Sequence, residues 1–240
     1  MMDYSRNITY IENDLQARIK KEHILICGAG LGSNISECLV RTGFNRLTIY
    51  DYDKVELSNI NRQNYVISDI GNSKVDSILN RLKAISPKGE FTVFNTKVNN
   101  KTDIPDDCNF VINCIDNDEN DVSENFTVRA LKNNKTVITP FNLGYNAMIN
   151  ILTPDMEKNE MNRMIHHIYN KNINILGEFI LLYVPEERKK KIEIIIKNIY
   201  DKNINYYPQM SAGSNKVAAE VCCSVLDLIQ NIKRENIKVI

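Results

Sequence analysis

The stretch ILICGAGLGS, residues 24–33, decides the fold of this chain. Its first four residues form an apolar run typical of a buried strand, and the glycine-rich segment leads into a helical pattern at residues 33–42. At such a junction, backbone N–H groups and the positive end of the helix can hold a phosphate or an adenosine group. The segment is one residue short of the G-x-G-x-x-G pattern, so alone it is a weak signal. We predict that Gly28, Gly30, Gly32 and Ser33 contact a nucleotide.

The rest of the chain alternates short β-rich runs with longer helical patterns, which predicts parallel βαβ units. Strands are expected at residues 47–50, 91–94, 110–115 and 136–139, and helices at 72–86 and 122–133. An edge or antiparallel strand at 147–152 and helices at 186–200 and 212–232 follow. We predict an α/β fold, a doubly wound Rossmann-like, mostly parallel sheet with a C-terminal antiparallel extension and a closing helix. Residues 1–240 are expected to form one domain with a variable, substrate-facing insertion at about 155–205.

The charges of the 240 residues balance, with 30 Lys and Arg against 30 Asp and Glu. A chain without excess positive charge is not expected to hold a polyphosphate backbone or an anionic membrane, so a nucleic-acid partner is disfavoured. No stretch approaches the roughly 18 to 20 apolar residues of a membrane span, and the N-terminal residues carry acids where a secretory signal carries bases. We expect a cytoplasmic protein that does not associate with a membrane.

The cysteines at 27, 38, 108, 114, 222 and 223 form no C-x-x-C pair, so free thiols are expected rather than disulfides or a zinc site. Cys222 and Cys223 lie among apolar residues of the closing helix, and we expect burial for both. The adjacent His166 and His167 would point to different sides of a helix, which disfavours a two-ligand metal site.

Asp51 ends the second strand about 20 residues beyond the glycines, where a carboxylate can accept hydrogen bonds from ribose hydroxyls. It opens the run DYDKVELSNINRQ, residues 51–63, which is followed by Gly71 and Lys74. A dinucleotide dehydrogenase has no need for Asn, Arg, Gln and Lys gathered after the ribose-binding acid, whereas a triphosphate has charge that must be offset. The pattern therefore favours ATP over NAD.

Together these segments resemble the E1-like adenylyltransferase superfamily, which includes bacterial ThiF, MoeB and HesA proteins, the peptide-activating MccB enzymes and the nucleotide-binding domains of ubiquitin-activating enzymes. The resemblance is carried by Tyr4-Ser5-Arg6-Asn7, the loop at 28–33, the run 51–63, Gly71-x-x-Lys74 and Cys114-Ile115-Asp116-Asn117. It covers residues 4–152 and resumes at 208–228.

The resemblance assigns roles by position. Asp51 is expected to bind the ribose, whereas phosphate contacts are expected from Asn59, Arg62 and Gln63. Lys74 is expected to neutralise phosphate charge in the transition state, and Asp116 to coordinate Mg²⁺. Arg6 matches an arginine that reaches into the neighbouring subunit's ATP site, which implies a homodimer with shared active sites. Asp53 either binds the nucleotide or caps the following turn.

The implied reaction is attack by a carboxylate on the α-phosphorus of MgATP, which forms an acyl-adenylate and releases pyrophosphate. The resemblance implies a small ubiquitin-like sulfur carrier or a ribosomal precursor peptide as the substrate, activated at its C-terminal carboxylate. A groove between residues 142–145 and the insertion is the candidate site for it. No cysteine is evidently placed to take over the acyl group. A non-catalytic E1-like scaffold, a tRNA-modifying dehydratase of the same superfamily and a nicotinamide-dependent oxidoreductase remain as alternatives.

Two charged runs are not explained by the resemblance. One lies within the matching segments and the other lies outside them. Residues 116–121, DNDEND, are more acidic than is usual in the superfamily, and could bind a second ion or repel a substrate carboxylate. The basic run at 188–191, RKKK, is expected to be a solvated helix face.

Overall fold

The computed structural model describes residues 3–116, 121–170, 172–201 and 208–240. Within these ranges, one seven-stranded sheet runs in the order β3-β2-β1-β4-β5-β6-β7. The parallel strands are β1 (His23–Cys27), β2 (Arg46–Asp51), β3 (Glu90–Asn95), β4 (Cys108–Asn113) and β5 (Thr136–Leu143), whereas β6 (Asn146–Leu152) and β7 (Ile237–Val239) are antiparallel to their neighbours. This topology confirms the predicted fold class.

Helices cover both faces of the sheet. They are α1 (Asn13–Lys21), α2 (Leu31–Thr42), α3 (Lys74–Ile85), α4 (Val122–Lys132), α5 (Lys158–Ile168), α6 (Ile173–Tyr183), α7 (Glu186–Asp201) and α8 (Ser211–Ile229). One apolar core joins α1, α2, α3 and α8 to the sheet, and a second joins α4 to α7 to the opposite face. Because β1 is buried on both faces, its residues after His23, Ile24 to Cys27, form a continuous apolar run rather than an alternating pattern. No helix in the described ranges has the length and apolarity to cross a membrane.

The strands at the site differ in length from the sequence prediction. β4 ends at Asn113 rather than residue 115, because the Asn113 Oδ1 atom accepts the Ile115 N–H at 3.2 Å and turns the chain out of the sheet. β5 continues past residue 139 to Leu143 and forms a hairpin with β6 through Gly144, which has a φ of +73°. β4 therefore ends earlier than predicted, and β5 extends further than predicted, at the edge of the sheet where the site lies.

The insertion at 155–205 is helical over its described part, where α5, α6 and α7 follow one another. Only α7 was expected there. The sequence also gave no prediction for α1, which buries only Leu15 and Ile19 along nine residues, nor for the three-residue strand β7. Short or polar elements of this kind are specified by tertiary packing more than by their own pattern.

The closing helix α8 approaches the β5–β6 hairpin very closely at Gly213. A Cβ atom there would lie 2.1 Å from the Asn142 Oδ1 atom and 2.5 Å from the Gly144 carbonyl oxygen. The Asn142 side-chain amide donates to the Met210 carbonyl and to the Ser214 hydroxyl, both at 2.9 Å. This contact fixes the end of β5 against α8, and so fixes one wall of the site described next.

Candidate active site

A cavity of about 240 Å³ opens at the carboxyl ends of β1, β2, β4 and β5. In doubly wound folds, ligands bind at the carboxyl ends of the parallel strands. A crevice forms there at the point where the strand order reverses, because the connections on its two sides run in opposite directions. Most of the residues singled out in the sequence line it: Gly28, Gly30, Asp51, Asp53, Arg62, Gln63, Lys74 and Asp116. Gly32, Ser33, Asn59 and Arg6 are not part of its wall.

The three glycines of the loop divide into two roles. Gly28 has a φ of +94°, and a Cβ atom there would lie 2.6 Å from the Cys114 carbonyl oxygen. A Cβ atom on Gly30 would point at the Gln63 amide, 3.1 Å away, so both glycines keep the cavity open. Gly32 instead faces Ile26, whose Cγ2 atom would be 2.8 Å from a Cβ. It allows α2 to pack closely on β1, which is the part that a third glycine plays in such loops.

Ser33 and Asn59 hold the loops rather than face the cavity. The fully buried Ser33 hydroxyl donates to the Gly30 carbonyl at 2.7 Å and accepts from the Asn64 N–H at 3.0 Å. The Asn59 Oδ1 atom accepts the Glu56 N–H at 2.9 Å and closes the short helix Leu57–Asn59. Neither side chain lines the cavity, and the nucleotide contacts expected of them stay predictions.

Asp51 joins the two loops that flank the cavity. Its Oδ2 atom accepts the Ala29 N–H at 2.6 Å, and its Oδ1 atom accepts the Asp53 N–H at 2.8 Å. Burial raises the pKa of this carboxyl group, while the nearby Lys74 ammonium and the two backbone N–H groups act in the opposite direction. Each carboxylate oxygen has a second lone pair, so Asp51 can hold the loops and still accept from a ligand hydroxyl.

Lys74 begins α3 and is only 7% exposed. Its ammonium lies 2.8 Å from the Asp53 Oδ2 atom. Asp116 keeps part of its side chain open to solvent, but the protein around its carboxylate raises its pKa, with Asp53 and Asp51 adding to the rise. Lys74 and Arg62 act on that pKa in the opposite direction. The cavity wall thus includes three carboxylates together with the buried Lys74 ammonium and the half-buried Arg62 guanidinium.

Arg62 is oriented by a residue that the sequence did not indicate. Its Nε–H donates to the Gln209 Oε1 atom at 2.9 Å, and its NH1 group donates to the Ser58 carbonyl at 2.6 Å. Gln209 lies 147 residues away, just before α8, and also lines the cavity. No local signal connects two positions so far apart, since only the packing of α8 on the hairpin brings them together.

The far wall of the cavity comes from β5 and the insertion. The Tyr169 hydroxyl bonds to the hydroxyls of Thr127 at 2.6 Å and Thr139 at 2.7 Å, and the Asn113 amide donates to Thr127 at 2.9 Å. Apolar side chains complete this wall: Phe141, Leu143, Leu176 and Ile180. Tyr169, Leu176 and Ile180 were not predicted from the sequence, which indicated only a substrate groove between residues 142–145 and the insertion.

A second cavity, of about 390 Å³, lies beside the β5–β6 turn. Arg188 and Lys191 of α7 line it together with Lys216 of α8. The basic run at 188–191 is exposed over most of its length, as expected, but two of its four side chains border a cavity and not merely solvent.

Arg6 lines neither of the two cavities described above. It is exposed, in the short helix Ser5–Asn7, and the Asn7 amide ties this segment to α2 through the Thr42 carbonyl at 3.1 Å. The exposed position of Arg6 leaves its expected role in a neighbouring subunit as a proposal.

The cysteines of α8 only partly match the prediction. Cys222 is buried, but Cys223 is exposed, because consecutive helix positions point in different directions. The pKa of Cys223 is raised, mainly by the protein around it and by Glu220. A thiol with a raised pKa carries little thiolate at neutral pH, so it is a weak nucleophile.

The cavity offers carboxylate oxygens, which are the ligands that Mg²⁺ prefers. Within the described ranges, no three His, Cys, Asp or Glu side chains gather closely enough to hold a metal ion by themselves. Mg²⁺ is commonly held by one or two carboxylates together with phosphate oxygens and water, so the exposed Asp116, which lines the cavity, fits such a site. Residues 117–120 of the acidic run lie outside the described residues.

A glycine turn that leaves space at its backbone, a buried acid at the end of the second strand and an Arg–Lys pair at the same sheet edge are features of nucleotide-binding α/β folds. The chain belongs to the ThiF family, whose sequence profile matches residues 4–212. This confirms the resemblance to the E1-like superfamily.

Relatives and solved structures agree with this assignment. The chain is 29% identical over 121 residues to tRNA threonylcarbamoyladenosine dehydratase 2 of Saccharomyces cerevisiae, covering 46% of this chain and 26% of that protein. It is 37% identical over 123 residues to ubiquitin-like modifier-activating enzyme 5 of Branchiostoma floridae, covering 44% of this chain and 30% of that protein. The chain thus spans less than a third of the length of either relative.

Among solved structures, the fold matches E. coli MccB crystallised with AMPCPP and the peptide MccA, with a TM-score of 0.71 at 19% identity. The match covers 96% of this chain and 64% of the MccB chain. SeMet PaaA matches with a TM-score of 0.64 at 19% identity, covering 94% and 62% of the two chains. At such identities the likeness establishes the shared fold.

Proposed function

We propose that this protein is an ATP-dependent adenylyltransferase that activates the C-terminal carboxylate of a polypeptide. The observation that carries the proposal is the meeting of Asp51, Arg62, Lys74 and Asp116 in one cavity whose opposite wall is built by the insertion. Such a cavity has a nucleotide-binding side and a second side of different chemistry. The ThiF family match and the MccB structures with ATP or AMPCPP support ATP as the nucleotide.

The ribose and phosphates of ATP can be assigned to particular residues. Asp51 accepts from the ribose hydroxyls, because its carboxylate is already fixed by two backbone N–H groups. Lys74 and Arg62 carry the positive charge that offsets the phosphates, and Arg62 is held ready by Gln209. When ATP binds, its phosphates compete with Asp53 for the Lys74 ammonium. Asp116 would hold Mg²⁺, which supplies further positive charge to the phosphate oxygens.

In the proposed reaction, the main task of the protein is to align the substrate carboxylate with the α-phosphorus of ATP. The attacking carboxylate is already ionised at neutral pH, so no general base is required. One of its oxygens forms a bond to the α-phosphorus, the bond to the β-phosphate oxygen breaks, and pyrophosphate leaves with that electron pair. Lys74 and Arg62 stabilise the charge that moves onto the leaving group, and preorganised contacts of this kind are each worth about 3 kcal/mol.

We infer that the acyl substrate is a precursor peptide or a small ubiquitin-like sulfur carrier. MccB crystallised with MccA and the relatives named as ubiquitin-like modifier-activating enzymes support a polypeptide substrate. The apolar wall of Phe141, Leu143, Leu176 and Ile180 suits the last residues of an extended chain. Because Arg6 lies outside the cavity of its own chain, we further propose a homodimer in which each Arg6 completes the active site of the partner subunit. We also propose that the protein acts in the cytoplasm.

The proposal is tested by exchange of labelled pyrophosphate into ATP. Synthetic peptides and purified carriers with a free C-terminal carboxylate are compared with the same chains amidated at the C-terminus. We expect exchange only with free carboxylates, and loss of about a hundredfold in the exchange rate for Arg62→Ala. The exposed Arg41, which pairs with Glu37 on α2, provides the matched control Arg41→Ala. Failure of every free carboxylate to support exchange contradicts the proposal.

The yeast relative favours one second candidate, a dehydratase that modifies tRNA. The balanced charge of the chain is unfavourable for binding a polyanion without a local basic surface. Exchange that is driven by purified tRNA and by no polypeptide would support this alternative.

A further inference from the structure

The second cavity is the strongest unassigned feature of the molecule. It lies between the β5–β6 turn, α7 and the start of α8, and Leu143 lines both it and the first cavity. A chain that leaves the first cavity past Leu143 therefore arrives at the second. The sequence gives this region no motif, since the contributing residues come from three separate segments.

Three cations face this cavity, and none has a carboxylate partner among the residues that the structure describes. Arg188 and Lys191 come from α7 and Lys216 from α8. Across the ranges that the structure describes, none of the three forms an ion pair. The Arg188 guanidinium donates to the Asn146 Oδ1 atom, which positions it and leaves its other N–H groups for a ligand.

The surroundings favour a carboxylate over a bare inorganic ion. The Lys191 ammonium lies 3.7 Å from the centre of the Tyr145 ring, and the rest of the wall includes the apolar side chains of Ile192 and Ile195. An apolar wall suits the methylene groups of an acidic side chain and strengthens its pairing with the cations by lowering the local dielectric constant.

We propose that this cavity binds an Asp or Glu side chain of the polypeptide substrate, upstream of the C-terminal carboxylate that enters the first cavity. The inference rests on the proposed function for its substrate and adds a requirement on that substrate's sequence. The cationic cavity selects which polypeptides are activated, whereas Arg62 and Lys74 act on ATP.

The test uses the full chain and a set of fluorescein-labelled peptides with a free C-terminus. Each peptide carries one Glu at a defined position upstream of its last residue, and its partner peptide carries Gln there. Peptide affinity is measured by fluorescence anisotropy with Mg²⁺ and the ATP analogue AMPCPP, which cannot release pyrophosphate and so leaves the peptide intact, for wild type, Lys191→Glu and Lys190→Glu. Lys190 is the neighbouring exposed lysine outside the cavity, so it gives a control with the same change in charge.

We expect wild type and Lys190→Glu to prefer the Glu peptide over its Gln partner by about tenfold at one position, the worth of one charge-assisted hydrogen bond. Lys191→Glu should lose this preference and bind a peptide with Lys at that position better instead. Retention of the MgATP-induced rise in melting temperature shows that the variant is folded. Equal affinities for Glu and Gln peptides at every position, or the same preference in both variants, overturn the inference.

Pyrophosphate exchange separates this inference from the proposed function. If Gln peptides support exchange as well as Glu peptides, the enzyme is an adenylyltransferase and the acidic subsite is refuted. If Glu peptides bind selectively but no polypeptide supports exchange, the subsite stands and the proposed reaction fails.

Discussion

At the scale of single residues, the site depends on backbone positions that only glycine tolerates. Gly28 combines a φ of +94° with a space too small for a Cβ atom beside the Cys114 carbonyl. Gly71 has a similar φ of +87°, but nothing lies within 4 Å of the place where its Cβ would be. The pair therefore separates the cost of backbone strain from the cost of a steric clash.

Gly71→Ala should lower the free energy of unfolding by about 1 kcal/mol, because Ala is strained at positive φ. Gly28→Ala carries the same strain and must also displace the loop at Cys114, so it should cost a further 1 to 3 kcal/mol or so. Urea unfolding of both variants measures the difference. Equal destabilisation by the two substitutions would show that Gly28 is needed for its φ alone.

The sequence identified most charged residues of the site because they occur in local runs with fixed spacing. Asp51, Arg62, Lys74 and Asp116 all line one cavity, while the roles that the resemblance implies for them stay predictions. Gly32, Ser33 and Asn59 are close in sequence to the cavity residues but turn toward α2, β1 and their own loops. Spacing predicts which segment reaches a site, whereas the direction of each side chain depends on tertiary packing.

At the scale of elements, the sheet was predictable and the insertion was not. Strands β1, β2 and β4 are apolar runs that stand out from the flanking polar segments, and their parallel pairing follows from the intervening helices. The sequence around α5 and α6 has few helix start and stop signals. These helices are instead positioned by packing into the second core. Gln209 and Tyr169 reach the cavity only through the docking of such elements, so no local pattern could reveal them.

Asp107 links three strands at the opposite edge of the sheet. Its carboxylate contacts the His23 Nδ1 atom of β1 at 2.8 Å and Arg46 of β2 at 2.5 Å, and it directly precedes β4. The hydrogen bond from His23 is the largest cause of a lowered pKa for Asp107, and Arg46 contributes to it. The ionised carboxylate is therefore favoured in the folded protein.

Because the folded pKa is lowered, this contribution to stability is present above the unfolded pKa near 3.8 and is lost as pH falls through the lower folded value. Asp107→Asn should cost up to about 1 kcal/mol at pH 5, as expected for a half-exposed ion pair, and less at pH 3. Urea unfolding at the two pH values measures this, with Asp106→Asn as the neighbouring control. A cost for Asp107→Asn that is unchanged or larger at pH 3 would refute the assignment.

At the scale of the whole molecule, the proposed homodimer has two active sites, each built from residues of both subunits. Arg6 is exposed on a segment tied to α2, while Arg62 lines the cavity of its own chain. If Arg6 acts in the partner site, subunits that lack Arg6 and subunits that lack Arg62 complement each other.

Arg6→Ala and Arg62→Ala should each be strongly impaired alone, because every site then lacks one arginine. Mixing equal amounts and allowing subunits to exchange should restore about a quarter of wild-type activity, since half of the dimers are mixed and each has one intact site. Pyrophosphate exchange reports the activity, and light scattering reports the dimer. A mixture no more active than its components would place Arg6 outside the partner site.

The central claim is that a substrate carboxylate attacks the α-phosphorus of ATP. It is tested most directly by labelling the C-terminal carboxylate of an active polypeptide substrate with ¹⁸O, then measuring the mass of the AMP released when the acyl-adenylate is consumed. Attack by the carboxylate leaves one of its oxygens on the phosphorus, so the account predicts AMP that carries a single ¹⁸O atom. AMP that contains only unlabelled oxygen would contradict it.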